Sequence, residues 1–188
     1  RGGAGDQHLL ALAEDAIDSG DPPLAGDHAV TVIAKLRRQG QFMEARRLLD
    51  RLARTPAGEM ATLPHAAQVR LWIEWSEVED RSGNLAQAIE YGRKAVALVN
   101  DGDDPALQFD SLHILTSRLF DSGVMTEFEA GSHRLQVLAG AMNDPERSGL
   151  ALMRHAFLRY LNGDWASASL QYSDILKLLP EGTDLLFR

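Results

Sequence analysis

Gly40, Gly83, Gly123 and Gly163 divide the chain at intervals of 43, 40 and 40 residues. A fixed interval of this length confines a chain to repeat architectures. A bulky apolar residue stands two positions after each glycine (Phe42, Leu85, Met125, Trp165), and a small one stands five after it (Ala45, Ala88, Ala168), with Phe128 as the exception. The spacing predicts helical hairpins. The glycine ends one helix in the left-handed conformation that a β-carbon disfavours. The bulky residue plugs the base of the hairpin, and the small residue lets the second helix approach the first.

Apolar residues recur at three- and four-residue steps with no clean two-residue alternation, which predicts helices throughout. The expected helices cover about 7–19 (with Leu9 and Leu10 on the apolar side), 23–39, 42–54, 65–81, 85–99, 105–121, 125–141, 146–161 and 165–178. Asp21-Pro22-Pro23, Asp104-Pro105 and Asp144-Pro145 place an acid before a proline, which suits a side-chain cap followed by a residue that needs no amide donor. Asn84 and Asp164 are expected to cap the second helices of their hairpins. Thr55 to Pro64 reads as a loop between helices, and Pro180-Glu181-Gly182 as a closing turn. The expected fold is all-α: an α-solenoid of about four helix-turn-helix units plus an N-terminal helix, forming a single domain over 1–188 with repeats at about 22–57, 64–102, 104–143 and 145–180. Arg1-Gly2-Gly3 at one end, and Asp184-Leu185-Leu186-Phe187 resembling the start of another helix at the other, suggest a fragment of a longer chain.

Composition narrows the function. With 45% hydrophobic and 24% charged residues the chain is too apolar for disorder. A net charge of −8 and a pI near 5.2 argue against nucleic acid or an anionic membrane as the main partner. The basic run Lys35, Arg37, Arg38, Arg46, Arg47 and Arg51 reads as a solvated helix face, as do the acids Glu77, Glu79 and Asp80. The absence of cysteine excludes disulfides and thiolate chemistry. No run approaches the length of a membrane helix. None of the six histidines lies in a His-Glu-x-x-His pattern, and no nucleophile elbow, phosphate loop or dinucleotide fingerprint is present. The expectation is a protein that is not an enzyme, with no cofactor and no metal, and with Trp72, Trp75 and Trp165 in the core.

Gly163-Asp164-Trp165 with Ala168, Tyr172, Ile175 and Pro180 resembles the second half of a tetratricopeptide repeat, and Gly83-Asn84-Leu85 with Ala88 and Ala95 resembles it nearly as well. Trp72 sits where that family places an aromatic in the first helix. Gly40-Gln41-Phe42 with Ala45 and Leu49 is a fair match, and Gly123 with Phe128 and Ser132 the weakest. The resemblance covers about residues 22–180, although the family's units are 34 residues and these are about 40. Units of the longer kind are similar to those of LuxR-type and maltose-activator-type bacterial regulators.

The resemblance implies a concave face lined by first helices that binds a protein or peptide, in the cytoplasm, within a signalling or transcription regulator. The groove residues it implies are Arg70, Glu74, Glu77 and Arg81, with Ile73 and Asp80, in the second unit. The third unit gives Asp110, His113, Ser117 and Asp121, with Ile114 and Phe120. The fourth gives Arg154 and Phe157, with Leu150, Met153 and Tyr160. Arg70 and Arg154 are the expected anchors, since arginine grips a carboxylate with two bonds. Alternatives are a scaffold in an export or polysaccharide-secretion machine, located in the periplasm, and a groove that senses a small molecule.

Overall fold

The computed structural model describes residues 4–54 and 62–178, and among these the secondary structure is wholly helical. The expected loop over 55–61, the closing turn at Pro180 and the helix start at Asp184 lie outside the described residues, as does the side chain of Leu9. The chain divides into two compact units, Arg1–Asp101 and Gly102–Arg188.

The first unit contains α1 (Ala4–Asp18), α2 (Pro22–Arg38), α3 (Phe42–Arg54), α4 (His65–Arg81) and α5 (Leu85–Leu98). Each helix packs on the next, and α2 also lies against α4. Helix α3 shows why: Ala45, Leu48, Leu49 and Leu52 fall at helical steps on one side, and all four are buried. They join Ile17 of α1, Ile33 and Leu36 of α2, and Leu71, Trp75 and Val78 of α4 in one core. Each fully buried leucine or isoleucine contributes roughly 1.5–3 kcal/mol.

The second unit contains α6 (Pro105–Asp121), α7 (Met125–Ala141), α8 (Pro145–Leu161) and α9 (Trp165–Leu178), again packed in sequence order. Phe109, Leu119, Phe128, Leu135 and Ile175 are fully buried in it.

All four ladder glycines have the positive φ that the sequence predicts, between +74° and +83°. Behind each, the next amide reaches back to a carbonyl five residues earlier (Gln41 to Leu36, Asn84 to Glu79, Val124 to Leu119, Asp164 to Arg159). This is the hydrogen bond that closes a helix ending in a left-handed residue. The same conformation occurs at Gly20, where α1 turns into α2. Gly20 too is followed at the fifth position by a fully buried alanine, Ala25. The ladder therefore starts one helix earlier than the 40-residue interval indicates.

The small residues at the fifth position are buried as expected: Ala45, Ala88 and Phe128 completely, and Ala168 almost so. The plugs are not. Trp165 is 68% exposed and Met125 36% exposed, while Phe42 and Leu85 are half-buried. Each is the first residue of its helix, and side chains lean toward the helix N-terminus, so these project past the tip of the hairpin. Of the three tryptophans expected in the core, Trp75 is buried, Trp72 half-buried and Trp165 exposed.

The caps before proline form as expected. Asp21 accepts from the Leu24 amide, Asp104 from that of Ala106, and Asp144 from those of Glu146 and Arg147. Asp164 accepts from the Ser167 amide. Asn84 does not cap α5; its amide instead donates to Glu79 Oε2 at 2.7 Å.

Candidate functional site

In each unit the first helices of neighbouring hairpins lie side by side, and the contacts between them recur at one sequence step. Arg37 meets Glu74, Asp110 meets Arg147, Ser117 meets Arg154 and Phe120 meets Phe157, each pair 37 residues apart. In the second unit, where the glycine interval is 40, this step joins positions about one helical turn out of register.

In the first unit, Glu74 is 7% exposed and is gripped by Arg37 through Nε to Oε2 at 2.8 Å and Nη2 to Oε1 at 3.3 Å. Burial pushes the Glu74 carboxyl above its ordinary range, and Arg37 opposes that shift. Glu77 stands 3.9 Å from the same guanidinium. Glu79, 3% exposed, pairs with Arg46 at 2.9 Å. Beside it a cleft of about 610 Å³ is lined by Arg46, Glu79 and residues 83–87 at the start of α5. Arg51 holds Glu14 and Asp18 of α1. Neither the basic run nor the acids of α4 is therefore a simple solvated face, because three of the arginines hold acids on other helices. Arg70 and Arg81, expected in the groove, are both exposed, Arg70 in the first half of α4 and Arg81 at its last residue.

The second unit gathers more of the expected residues. On α6, His113 stacks on Phe109 with centroids 5.9 Å apart, and its Nδ1 is sealed from solvent without a hydrogen-bond partner. Ser117 and Thr116 both donate to the His113 carbonyl. From α8, Arg154 Nη2 donates to Ser117 Oγ. Phe157 meets Phe120 edge-on at 4.7 Å, and Tyr160, 54% exposed, extends the aromatic row. Asp110 accepts from both Nε and Nη2 of Arg147, at 3.1 and 3.0 Å. Asp121 is exposed and pairs with the buried Arg118 at 3.6 Å.

The electrostatics of this seam are cationic. Burial, reinforced by the charges of Arg154, Arg118 and Arg147, pushes the His113 imidazole down to about 3, so it is neutral at physiological pH. Burial also lowers Arg154, against the longer-range attraction of Asp121. Arg147 is held above its ordinary value by its bonds to Asp110 and Asp144.

Of the ten expected groove residues, Asp110, His113, Ser117, Arg154 and Phe157 meet in this seam, with Asp121 at its edge. Arg37, Arg118 and Arg147 belong to the two charge networks and were missed. Their signal was present as a complementary charge 37 residues away for Arg37 and Arg147, and for Arg118 as an acid three residues on.

No family model, curated protein or solved structure matches this chain. Among the described residues, no group of three histidine, aspartate or glutamate side chains is placed to hold a metal ion. No described helix is long and apolar enough to cross a membrane.

Proposed function

We propose that the chain is a protein- or peptide-binding module whose binding face is the seam of first helices α6 and α8. The observation that carries this reading is the convergence of a guanidinium, a hydroxyl and an aromatic row on one pair of adjacent helices. A helix or extended peptide can be read there by charge at one end and apolar contact at the other. The hairpins are read as tetratricopeptide-like, supported by the left-handed glycines and the buried small residues that follow them. The sensor or interaction module of a bacterial signalling or transcription regulator, in the cytoplasm, is the setting this reading favours, and it rests on the resemblance alone.

A second reading, an assembly scaffold, is favoured by a different observation. The second helices carry exposed apolar residues, with Val137 on α7 76% exposed and Leu170 and Leu176 on α9 65% and 76% exposed. Contacts through that side would suit a spacer in a larger machine.

Selection of peptides from a random displayed library on the purified chain separates the two. Selected peptides that lose binding to Arg154→Glu and keep it with Leu170→Ser/Leu176→Ser support the groove. The reverse pattern supports the scaffold, and a library that yields no specific peptide overturns the peptide-binding reading.

A further inference from the structure

Helices α7, α8 and α9 bring together three polar side chains that the seam does not use. His133 of α7 meets His155 of α8 with ring centres 5.7 Å apart and planes at 63°. From α9, the side-chain amide of Gln171 reaches His155 Nδ1, with Oε1 at 3.3 Å and Nε2 at 3.2 Å. The three helices pack in sequence order within the second unit. Neither ring is needed to fill the core: Phe128 and Leu135 take fully buried places on α7, whereas His133 is exposed and His155 half-buried.

Imidazole is a preferred ligand of zinc, copper and nickel ions. Its nitrogen stands about 2.0–2.1 Å from zinc, so with ring centres about 1.2 Å behind the nitrogens, two rings on one tetrahedral ion are centred roughly 5 Å apart. The observed 5.7 Å is within about 1 Å of that spacing. The exposed His133 can close the difference by turning about its side-chain bonds. Gln171 meets a second requirement. A metal-bound histidine ordinarily donates its other ring N–H to an oxygen, which fixes the tautomer and aims the ligating nitrogen. Donation from His155 Nδ1 to Gln171 Oε1 leaves the lone pair of Nε2 for an ion. Among the described residues no third histidine, aspartate or glutamate joins the pair. Water therefore fills the remaining positions, and the ion stays open to an outside ligand.

We infer that His133 and His155, with Gln171 as a positioning residue, form a two-histidine site for a divalent late transition ion, zinc or copper, that clamps α7 to α8. The site lies beyond the proposed function and does not depend on it.

The test is calorimetric titration of the whole chain, carrying no polyhistidine tag, with the chlorides of zinc, copper and magnesium in a buffer that does not bind metals. One ion per chain is expected, with copper held more tightly than zinc and magnesium, which prefers oxygen ligands, not held. His133→Ala and His155→Ala should each weaken zinc and copper about ten-fold or more, at least the loss that follows removal of an outer partner, and Gln171→Leu about ten-fold. His8→Ala, at an exposed position on α1, should change neither. Zinc should also raise the urea midpoint of the chain but not that of His133→Ala. Absence of zinc and copper binding overturns the inference, as does an affinity unchanged in either histidine variant or lowered equally by His8→Ala. Magnesium held as well as zinc marks diffuse attraction to an acidic surface and overturns it too. Two ions per chain, each lost with one histidine alone, overturn the clamp, and an affinity that Gln171→Leu leaves unchanged overturns the positioning role. Were His155→Ala to lose its helical circular dichroism, His155→Gln serves instead, and His133→Ala, at an exposed position, decides independently.

Discussion

Gly131 offers the sharpest test of how closely these helices approach. It lies on α7, buried against α6, and a β-carbon built there falls 2.3 Å from Thr116 Cγ2. Carbon atoms in contact ordinarily stand about 3.5–4.0 Å apart, so one side must move. Thr116 is fully buried, and its hydroxyl is committed to the His113 carbonyl at 2.9 Å. Swinging its methyl away therefore disturbs that bond. Overpacking costs about 1–3 kcal/mol, and a clash this deep belongs to the upper half of that range. Alanine regains roughly 0.8–1 kcal/mol of helix propensity over glycine. Gly131→Ala should therefore destabilise the chain by roughly 1–2 kcal/mol, read as a shifted urea midpoint at unchanged slope by far-ultraviolet circular dichroism. Thr116→Ser removes the offending methyl and keeps the hydroxyl. In that background Gly131→Ala should become neutral or stabilising, with a coupling of about 1.5 kcal/mol or more. Additivity of the two substitutions within ~0.5 kcal/mol would refute the argument from close approach.

Other consequences follow from the buried charges and caps. Glu74→Ala leaves Arg37, among the described residues, with the more distant Glu77, and should cost about 1–3 kcal/mol in urea unfolding, below the full penalty for a broken buried pair because Arg37 is partly exposed. Asp144→Ala removes the cap of α8 and should cost about 0.5–2 kcal/mol. The amides and guanidinium of its neighbours hold the Asp144 carboxyl below its ordinary value, the Arg147 amide foremost. Its contribution is therefore complete above about pH 4 and is lost as pH falls through the depressed native value, so the variant's deficit should shrink in acid. His113 has the opposite chemistry and the same sign. The unfolded imidazole takes up a proton below about pH 6.5, while the native one resists to about 3. Stability should decline as pH falls between those values. His113→Gln should flatten that decline, and the native His113 ring resonances should stay in their neutral positions at pH 5. Arg154→Met should raise the urea midpoint of the chain, since it removes a partly buried charge that has no ion-paired carboxylate among the described residues; a lowered midpoint would mark Arg154 as a structural residue.

The helical plan was legible because its signals are local. A glycine ahead of a small residue and an acid ahead of proline each act within one turn of chain, and Gly40, Asp104 and Asp144 behave as their neighbours dictate. Gly20 is hidden from the 40-residue interval because it stands about half of one interval from Gly40. Trp165 misled because hydrophobicity says a ring prefers burial, whereas its place at the first position of α9 decides which way it points. The weakest match to the ladder, Phe128, has a physical explanation: the small residue of that hairpin comes three positions later, at Gly131. The seam was half legible. The resemblance, carried over position by position, implied an inner-face place for His113, Ser117 and Arg154. Which arginine neutralises which acid depends on how far neighbouring helices slide past one another, and that offset appears in the 37-residue step rather than in the 40-residue interval.

The contrasting environments of the tryptophans give the molecule two optical channels of its own. Trp72 and Trp75 stack with centroids 5.2 Å apart at 28°, and both also stack on Tyr91. Coupled transitions of so close a pair should dominate the near-ultraviolet circular dichroism and vanish when α4, which carries both rings, unwinds. Trp165 stands in water at the tip of the last hairpin and should emit at the red edge of the fluorescence spectrum. The unfolding of the first unit can thus be followed in an unlabelled chain by near-ultraviolet dichroism, over a red-edge emission from Trp165 that stays nearly constant because that ring is exposed from the start.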